Sequence, residues 1–163
     1  MTGTNGKSSV SDFYFQLLKL NKIKVASIGT LGVKSKNIRL NLPNTTIDPI
    51  RMGQILSKLK SQKINNVIME ASSHGLTQHR LDGLKFSSGI FTNFSQDHLD
   101  YHKNLKEYFK AKQYLFENLI RKKGNVIADE TIPEFKTIKK IAISRKLKLQ
   151  TLNHLTCVDL SHD

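Results

Sequence analysis

A single cysteine, Cys157, in 163 residues means that no internal disulfide can staple this chain, and such usage suits a reducing compartment. No apolar run approaches the roughly 20 residues needed to cross a bilayer, and no charged-then-apolar leader opens the chain. Neither a membrane partner nor a secretory signal is expected. Linkers, internal repeats and low-complexity tracts are also missing, and a hydrophobic share of 38% is enough for one domain with a real core. Acidic residues are scarce, with 13 Asp and Glu against 26 Lys and Arg, for a formal net charge of +13. That balance favours anionic partners. The lysines are scattered and not interleaved with aromatics, so a nucleotide is favoured over nucleic acid, which is not expected as a partner.

What is present shows itself at once. Residues Thr2 to Ser9 read TGTNGKSS. Such a loop turns backbone N–H groups inward around a polyphosphate, a lysine ammonium reaches the terminal phosphates, and the next hydroxyl ligates Mg²⁺. Gly3 and Gly6 would permit the tight backbone, with Thr4 and Asn5 between them. Lys7 would supply charge, and Ser8, followed by Ser9, the metal ligand. The general pattern wants a further glycine where Met1 stands. A Gly/Ser/Asn turn capping a helix would also explain the hydroxyls, but not a lysine at the positive end of the helix dipole. A buried strand normally leads into such a loop, and only Met1 precedes it here. The chain is therefore expected to be cut at its N-terminus.

Short apolar strands alternate with helical patterns, which predicts an α/β fold with a mostly parallel sheet and helices on both faces. Strands are expected at 24–29, 66–69, 86–92, 125–128 and 140–144. A helix over 8–20 would carry Val10, Phe13, Leu17 and Leu20 on one side, and one over 49–61 would carry Ile55, Leu56 and Leu59. Residues 43–49 read as a loop and 34–40 as a small hairpin arm. Periodicity fades over 145–163.

Ligands of open α/β sheets collect beyond the carboxyl ends of the strands. Two polar clusters fall there: Glu70 to His74, directly after an apolar run, and Asn93 to His102, which contains His98. Helix capping and loop hydrogen bonds could explain either alone, but with the glycine loop they converge on one rim. The segment 104–120 is helical by period, with Leu105, Tyr108, Phe109, Leu115, Phe116 and Leu119 on one stripe. Lys112 interrupts that stripe. It either snorkels outward along its methylenes or meets a specific anion or altered chemistry.

TGTNGKSS, NTTIDP (44–49), MEASSHGLTQHR (69–80), FTNFSQDHLDYH (91–102) and the AK of YFKAKQYLF (108–116) occur in the order and spacing of the Mur ligases, which the chain resembles. Within that family it is most similar to the type that extends UDP-N-acetylmuramoyl-L-alanyl-D-glutamate by a diamino acid, meso-diaminopimelate or L-lysine, in peptidoglycan biosynthesis. The resemblance implies that ATP phosphorylates the D-glutamate side chain and that the amine then displaces phosphate from the acyl phosphate. By motif position, Gly3 to Ser9 would hold ATP. Ser8 and Glu70 would ligate one Mg²⁺ and His98 a second. Asn44, Thr45, Thr46, Ser72, Gln78 and Arg80 would hold the UDP-linked dipeptide. Lys112 matches a lysine carbamylated by CO₂ into a metal ligand.

The resemblance also implies that residues 1–163 are a fragment of the central ATP-binding domain, without the uridine-binding and C-terminal domains. A cytoplasmic monomer, inactive as a ligase by itself, is the expectation. Departures from the family pattern are Ser8 and Ser9 for Thr-Thr, Ile47 for proline and Lys103 for glycine. A folylpolyglutamate- or cyanophycin-type ligase, or a non-catalytic nucleotide-binding module, are the alternatives.

Overall fold

Five consecutive buried residues, Val25–Gly29, form β1, the strand on which the rest is built. In the computed structural model, which describes residues 1–98 and 101–152, β1 follows α1 (Lys7–Leu20). It then turns back into a short antiparallel arm, β2 (Gly32–Lys34) and β3 (Arg39–Leu40), as expected for 34–40. After α2 (Pro49–Ser61), β4 (Asn66–Met69) pairs parallel with β1, Val25 opposite Asn66 and Ile28 opposite Met69. A second parallel group joins β5 (Phe86–Phe91), β6 (Ile120–Asp129) and β7 (Lys148–Leu152).

Met1 and Thr2 stitch the two groups together. The Met1 ammonium donates to the Met69 carbonyl oxygen (2.7 Å) and the Ala71 N–H to that of Met1 (2.8 Å). On the other side, the Thr2 N–H donates to Ile90 and the Thr92 N–H to Thr2. The spatial order is thus β3-β2-β1-β4, then Met1 and Thr2, then β5-β6-β7. The sheet is mostly parallel and flanked by helices, as expected.

α2 lies where its pattern puts it. The Asp48 carboxylate accepts from the Arg51 N–H (2.9 Å), Pro49 occupies the first turn, and Met52, Ile55 and Leu59 are buried. α4 (Leu105–Tyr114) starts at the Asn104 cap, but the helix expected to run to 120 changes winding to a π turn over Leu115–Leu119 and then becomes β6. Of its stripe, Tyr108, Leu115, Phe116 and Leu119 are buried, Phe109 is partly buried, and Leu105 is 41% exposed.

Three expectations need correction. The strand expected at 140–144 is the last half of a helix, α5 (Phe135–Ser144), which buries Ile138 and Ala142; a short apolar run such as Ile141-Ala142-Ile143 fits either period. β7 lies within the stretch that showed no periodicity, and residues 153–163 lie outside the described residues. On α1 the expected stripe faces outward: Phe13, Leu17 and Leu20 are 63%, 60% and 77% exposed, while Ser11 and Phe15 are buried. The glycine loop sets the phase of α1, and that phase presents the small Ser11 and the Phe15 ring inward.

Candidate nucleotide and ligand site

The glycine loop, the ends of β1 and β4, the start of α3 (Ser73–Thr77) and Lys112 of α4 enclose a cavity of about 270 Å³. Thr4, Asn5, Gly6, Lys7, Ser8 and Ser9 form one side. Gly3 is required by space as well as by backbone, because its φ is +154° and a Cβ there would lie 1.9 Å from Thr92 Oγ1. The loop is fastened to the segment after β5: the Asn5 N–H donates to Asn93 Oδ1 (2.8 Å), and Thr92 Oγ1 donates to the Asn5 carbonyl (2.7 Å). Lys7 Nζ donates to the carbonyl oxygens of Gly3 (3.0 Å) and Thr4 (2.7 Å). Burial lowers the Lys7 pKa, against the raising influence of Glu70 and Asp97.

Glu70 leaves the carboxyl end of β4 and is 2% exposed. Its carboxylate accepts from Ser8 Oγ (2.9 Å), the Thr30 N–H (3.1 Å) and Thr30 Oγ1 (3.2 Å). It lies across Gly29, where a Cβ would meet Oε1 at 2.1 Å. One hydroxyl, one carboxylate and a second hydroxyl are hard oxygen donors of the kind Mg²⁺ takes, with phosphate and water completing its shell. Among the described residues no group of three or more His, Cys, Asp or Glu side chains could hold a metal ion by itself. The Ser8, Glu70 and Thr30 oxygens fit an ion that shares its ligands with a phosphate.

Lys112 is 1% exposed and does not snorkel. Its Nζ donates to the Gly3 carbonyl (2.7 Å) and stands 4.2 Å from the centre of the Tyr108 ring. Burial first, and the charge of Lys7 second, bring its pKa down to about 7. His98, with φ +53°, is exposed on the rim, and its Nε2 lies 3.5 Å from Asp97 Oδ2. Behind it, His74, Tyr101, His102 and Tyr108 stack with ring centroids 3.9 to 5.8 Å apart. His102 Nε2 is buried with no hydrogen-bond partner, and burial lowers the pKa of this imidazole. Leu99 and Asp100 of this segment lie outside the described residues.

The six residues expected to hold a substrate divide. Thr45 and Ser72 line the glycine-loop cavity, while Asn44, Gln78 and Arg80 line a separate one of about 200 Å³. Thr46 is buried: its hydroxyl donates to the Glu70 carbonyl (3.1 Å) and accepts from the Ser72 N–H (2.9 Å). Arg80 Nη1 donates to the Thr46 carbonyl (2.6 Å), so one branch of the guanidinium holds the 44–49 loop. Sequence reasoning missed Thr30, named Ser73 only within the Glu70–His74 cluster, and placed Tyr108 only on the apolar stripe. Thr30 could have been found as the residue that directly follows β1. Ser73 lines the cavity with a buried hydroxyl that has no partner, and only geometry shows it.

A parallel sheet with a lysine-bearing glycine loop opposite a strand-end carboxylate has the layout of an α/β protein with a site at the carboxyl ends of its strands. Residues 1–156 match the Mur ligase middle domain, and the chain belongs to the Mur ligase family. It is 43% identical over 149 residues to the UDP-N-acetylmuramoyl-L-alanyl-D-glutamate–2,6-diaminopimelate ligase of Zymomonas mobilis, covering 91% of this chain and 31% of that protein. A solved structure of a ligase of that same description superposes with a TM-score of 0.77 at 31% identity, over 92% of this chain and 30% of that one. An FPGS–AMPPCP complex superposes at 0.64 with 11% identity, over 94% of this chain and 45% of that one, a likeness of fold alone. The chain spans about a third of the length of the curated relatives it matches.

Proposed function

We propose that this chain is the phosphate-holding part of an ATP-dependent ligase that joins meso-diaminopimelate to UDP-N-acetylmuramoyl-L-alanyl-D-glutamate. The observation that carries it is the meeting of Lys7, Ser8 and Lys112 around one cavity, with the Glu70 carboxylate bonded to Ser8 behind it. The choice of diaminopimelate over L-lysine is supported by the names of the relatives.

In this reading the loop amides and Lys7 cradle the ATP phosphates, with the ammonium exchanging its loop carbonyls for phosphate oxygens. Ser8 and Glu70 would hold one Mg²⁺ and His98 would contribute to a second; the ions would offset the repulsion between two anionic reactants. The D-glutamate side-chain carboxylate attacks the γ-phosphorus and ADP leaves. The diaminopimelate amine then attacks the acyl carbon, phosphate leaves, and the amine gives up a proton. Thr45 and Ser72 on the same cavity would orient the acceptor, and Asn44, Gln78 and Arg80 would hold a more distant part of it.

Lys112 with a pKa of about 7 exists partly as the free amine at neutral pH. That form can add to CO₂, forming an N–C bond and losing a proton, to give a carbamate oxygen donor. The chain works as one portion of a larger ligase, flanked by domains for the uridine group and the amino acid, and acts as a cytoplasmic monomer. No described helix is long and apolar enough to cross a membrane.

The test is to replace the corresponding segment of the Zymomonas mobilis ligase with this chain and measure ATP-dependent incorporation of diaminopimelate. Retained turnover, lost on Lys7→Ala, supports the reading. A folded but inactive chimera overturns it.

A further inference from the structure

A second cavity, of about 610 Å³, opens at the amino end of β1. β1 starts on this cavity at Val25 and ends beside the phosphate cavity, where Thr30 follows it, and the two cavities share no residue. α1 spans the same interval, from Lys7 at one cavity to Lys19 at the other, about 18 Å at the helical rise.

Every charged residue on its wall is a lysine: Lys19, Lys22, Lys24 and Lys36. None of the four ammonium groups has an ion-pair partner among the described residues, whereas nearby Lys34 is held by Asp12 at 3.0 Å. The helix dipole accounts for Lys19 and Lys22 at the carboxyl end of α1, where cations are favoured. It does not account for Lys24, which leads into β1, or Lys36, in the β2–β3 turn. Four like charges around one opening repel each other unless an anion sits between them.

The floor is apolar, made of Phe15, Val25 and Ile64, all under 10% exposed. Gln62 also lines the wall, and its Oε1 is buried with no hydrogen-bond partner. A simple inorganic ion would fill a small part of the volume and leave both the floor and that oxygen unmet. The size falls in the range that accepts organic ligands.

We propose that this cavity is a second ligand site, for a small molecule that carries a phosphate on a flat apolar body. The lysines hold the phosphate as point charges, the Phe15 floor takes the body, and Gln62 Oε1 accepts from a polar hydrogen on it.

The test is titration of 1-naphthyl phosphate into the ¹⁵N-labelled chain, followed by amide shifts. Changes centred on 19–25, 36–37 and 62–64 are expected. They report a different site from the loop amides at 3–9, so failure here is separable from failure of the nucleotide reading. The triple variant Lys19→Gln, Lys24→Gln, Lys36→Gln alters only exposed side chains, and an unchanged spectrum elsewhere verifies its fold. It should bind at least tenfold more weakly. Shifts confined to 3–9, no binding, equal affinity in the triple variant, or equal binding of uncharged 1-naphthol would each overturn the proposal.

Discussion

Lys112 Nζ and the carbonyl oxygen of Gly3 lie 2.7 Å apart, so a side chain from α4 is tied to the first turn of the glycine loop across 109 residues of sequence. Lys112 is buried there, and burial first and the charge of Lys7 second lower its pKa. The tie also means that changes on α4 reach the glycine loop directly.

The burial of Lys112 predicts a specific dependence of stability on pH. Its pKa of about 7 in the folded chain lies below the ordinary 10.5, so the unfolded chain binds the extra proton between those values. Stability should therefore rise with pH from about 7 to about 10.5, and the full penalty applies below 7. Denaturant titrations in CO₂-free buffer should show this rise in the parent and a flatter profile in Lys112→Met. Parallel profiles would contradict it.

In the ligase chimera, Lys112→Ala should abolish turnover while the fold is kept, and added short carboxylic acids should restore part of it by occupying the vacated position. Activity equal to the parent, or a defect limited to melting temperature, would remove Lys112 from the metal site.

Gly29→Ala tests the placement of Glu70 without altering Glu70 itself. The new methyl would overlap the carboxylate, which Ser8 and Thr30 hold in place. Calorimetry should show Mg²⁺-dependent ADP binding weakened about tenfold or more, as expected if a charged hydrogen-bonded group is displaced. Unchanged Mg²⁺ dependence would show that Glu70 does not set it.

Gly3→Ala should be worse for the fold. The alanine would take up an unfavourable φ and collide with Thr92, for a loss of roughly 1–3 kcal/mol in thermal or denaturant unfolding. A neutral variant would mean that the loop can re-form elsewhere.

Arg80→Lys should affect the sugar dipeptide more than ATP. A lysine cannot hold the Thr46 carbonyl and present a second branch to a carboxylate. In the chimera the KM for the UDP substrate should rise more than that for ATP. Equal effects would assign Arg80 to loop structure alone.

The glycine loop, Glu70 and Lys112 were readable because each breaks a local rule: a lysine at a positive helix end, a carboxylate just past an apolar strand, a cation on an apolar stripe. The outward face of α1 was not readable, because periodicity shows that a helix has an apolar side but not which way the loop turns it. Phe13 and Leu17 outweigh Ser11 in any pattern, yet Ser11 fits against the sheet. α5 was mistaken for a strand because Ile138, which with Ala142 carries the helical spacing, lies outside the window 140–144. Thr30 was overlooked, and Ser73 was not singled out within its cluster, because an uncharged hydroxyl has no signature until the strand ends are brought together.

The position of Met1 and Thr2 between the two strand groups bears on the order in which the chain can fold. Their partners, Met69 and Ile90, lie 68 and 88 residues away, whereas β5, β6 and β7 are joined by nearer segments and can pair earlier. Contacts of such long sequence separation form late, after the entropy of closing the loop between them has been met. The loop that follows Thr2 can adopt its shape only once both groups of strands flank it. Capture of phosphate by residues 3–9 would thus be a late reporter in refolding, appearing with the final closure of the sheet and not with its first pairings.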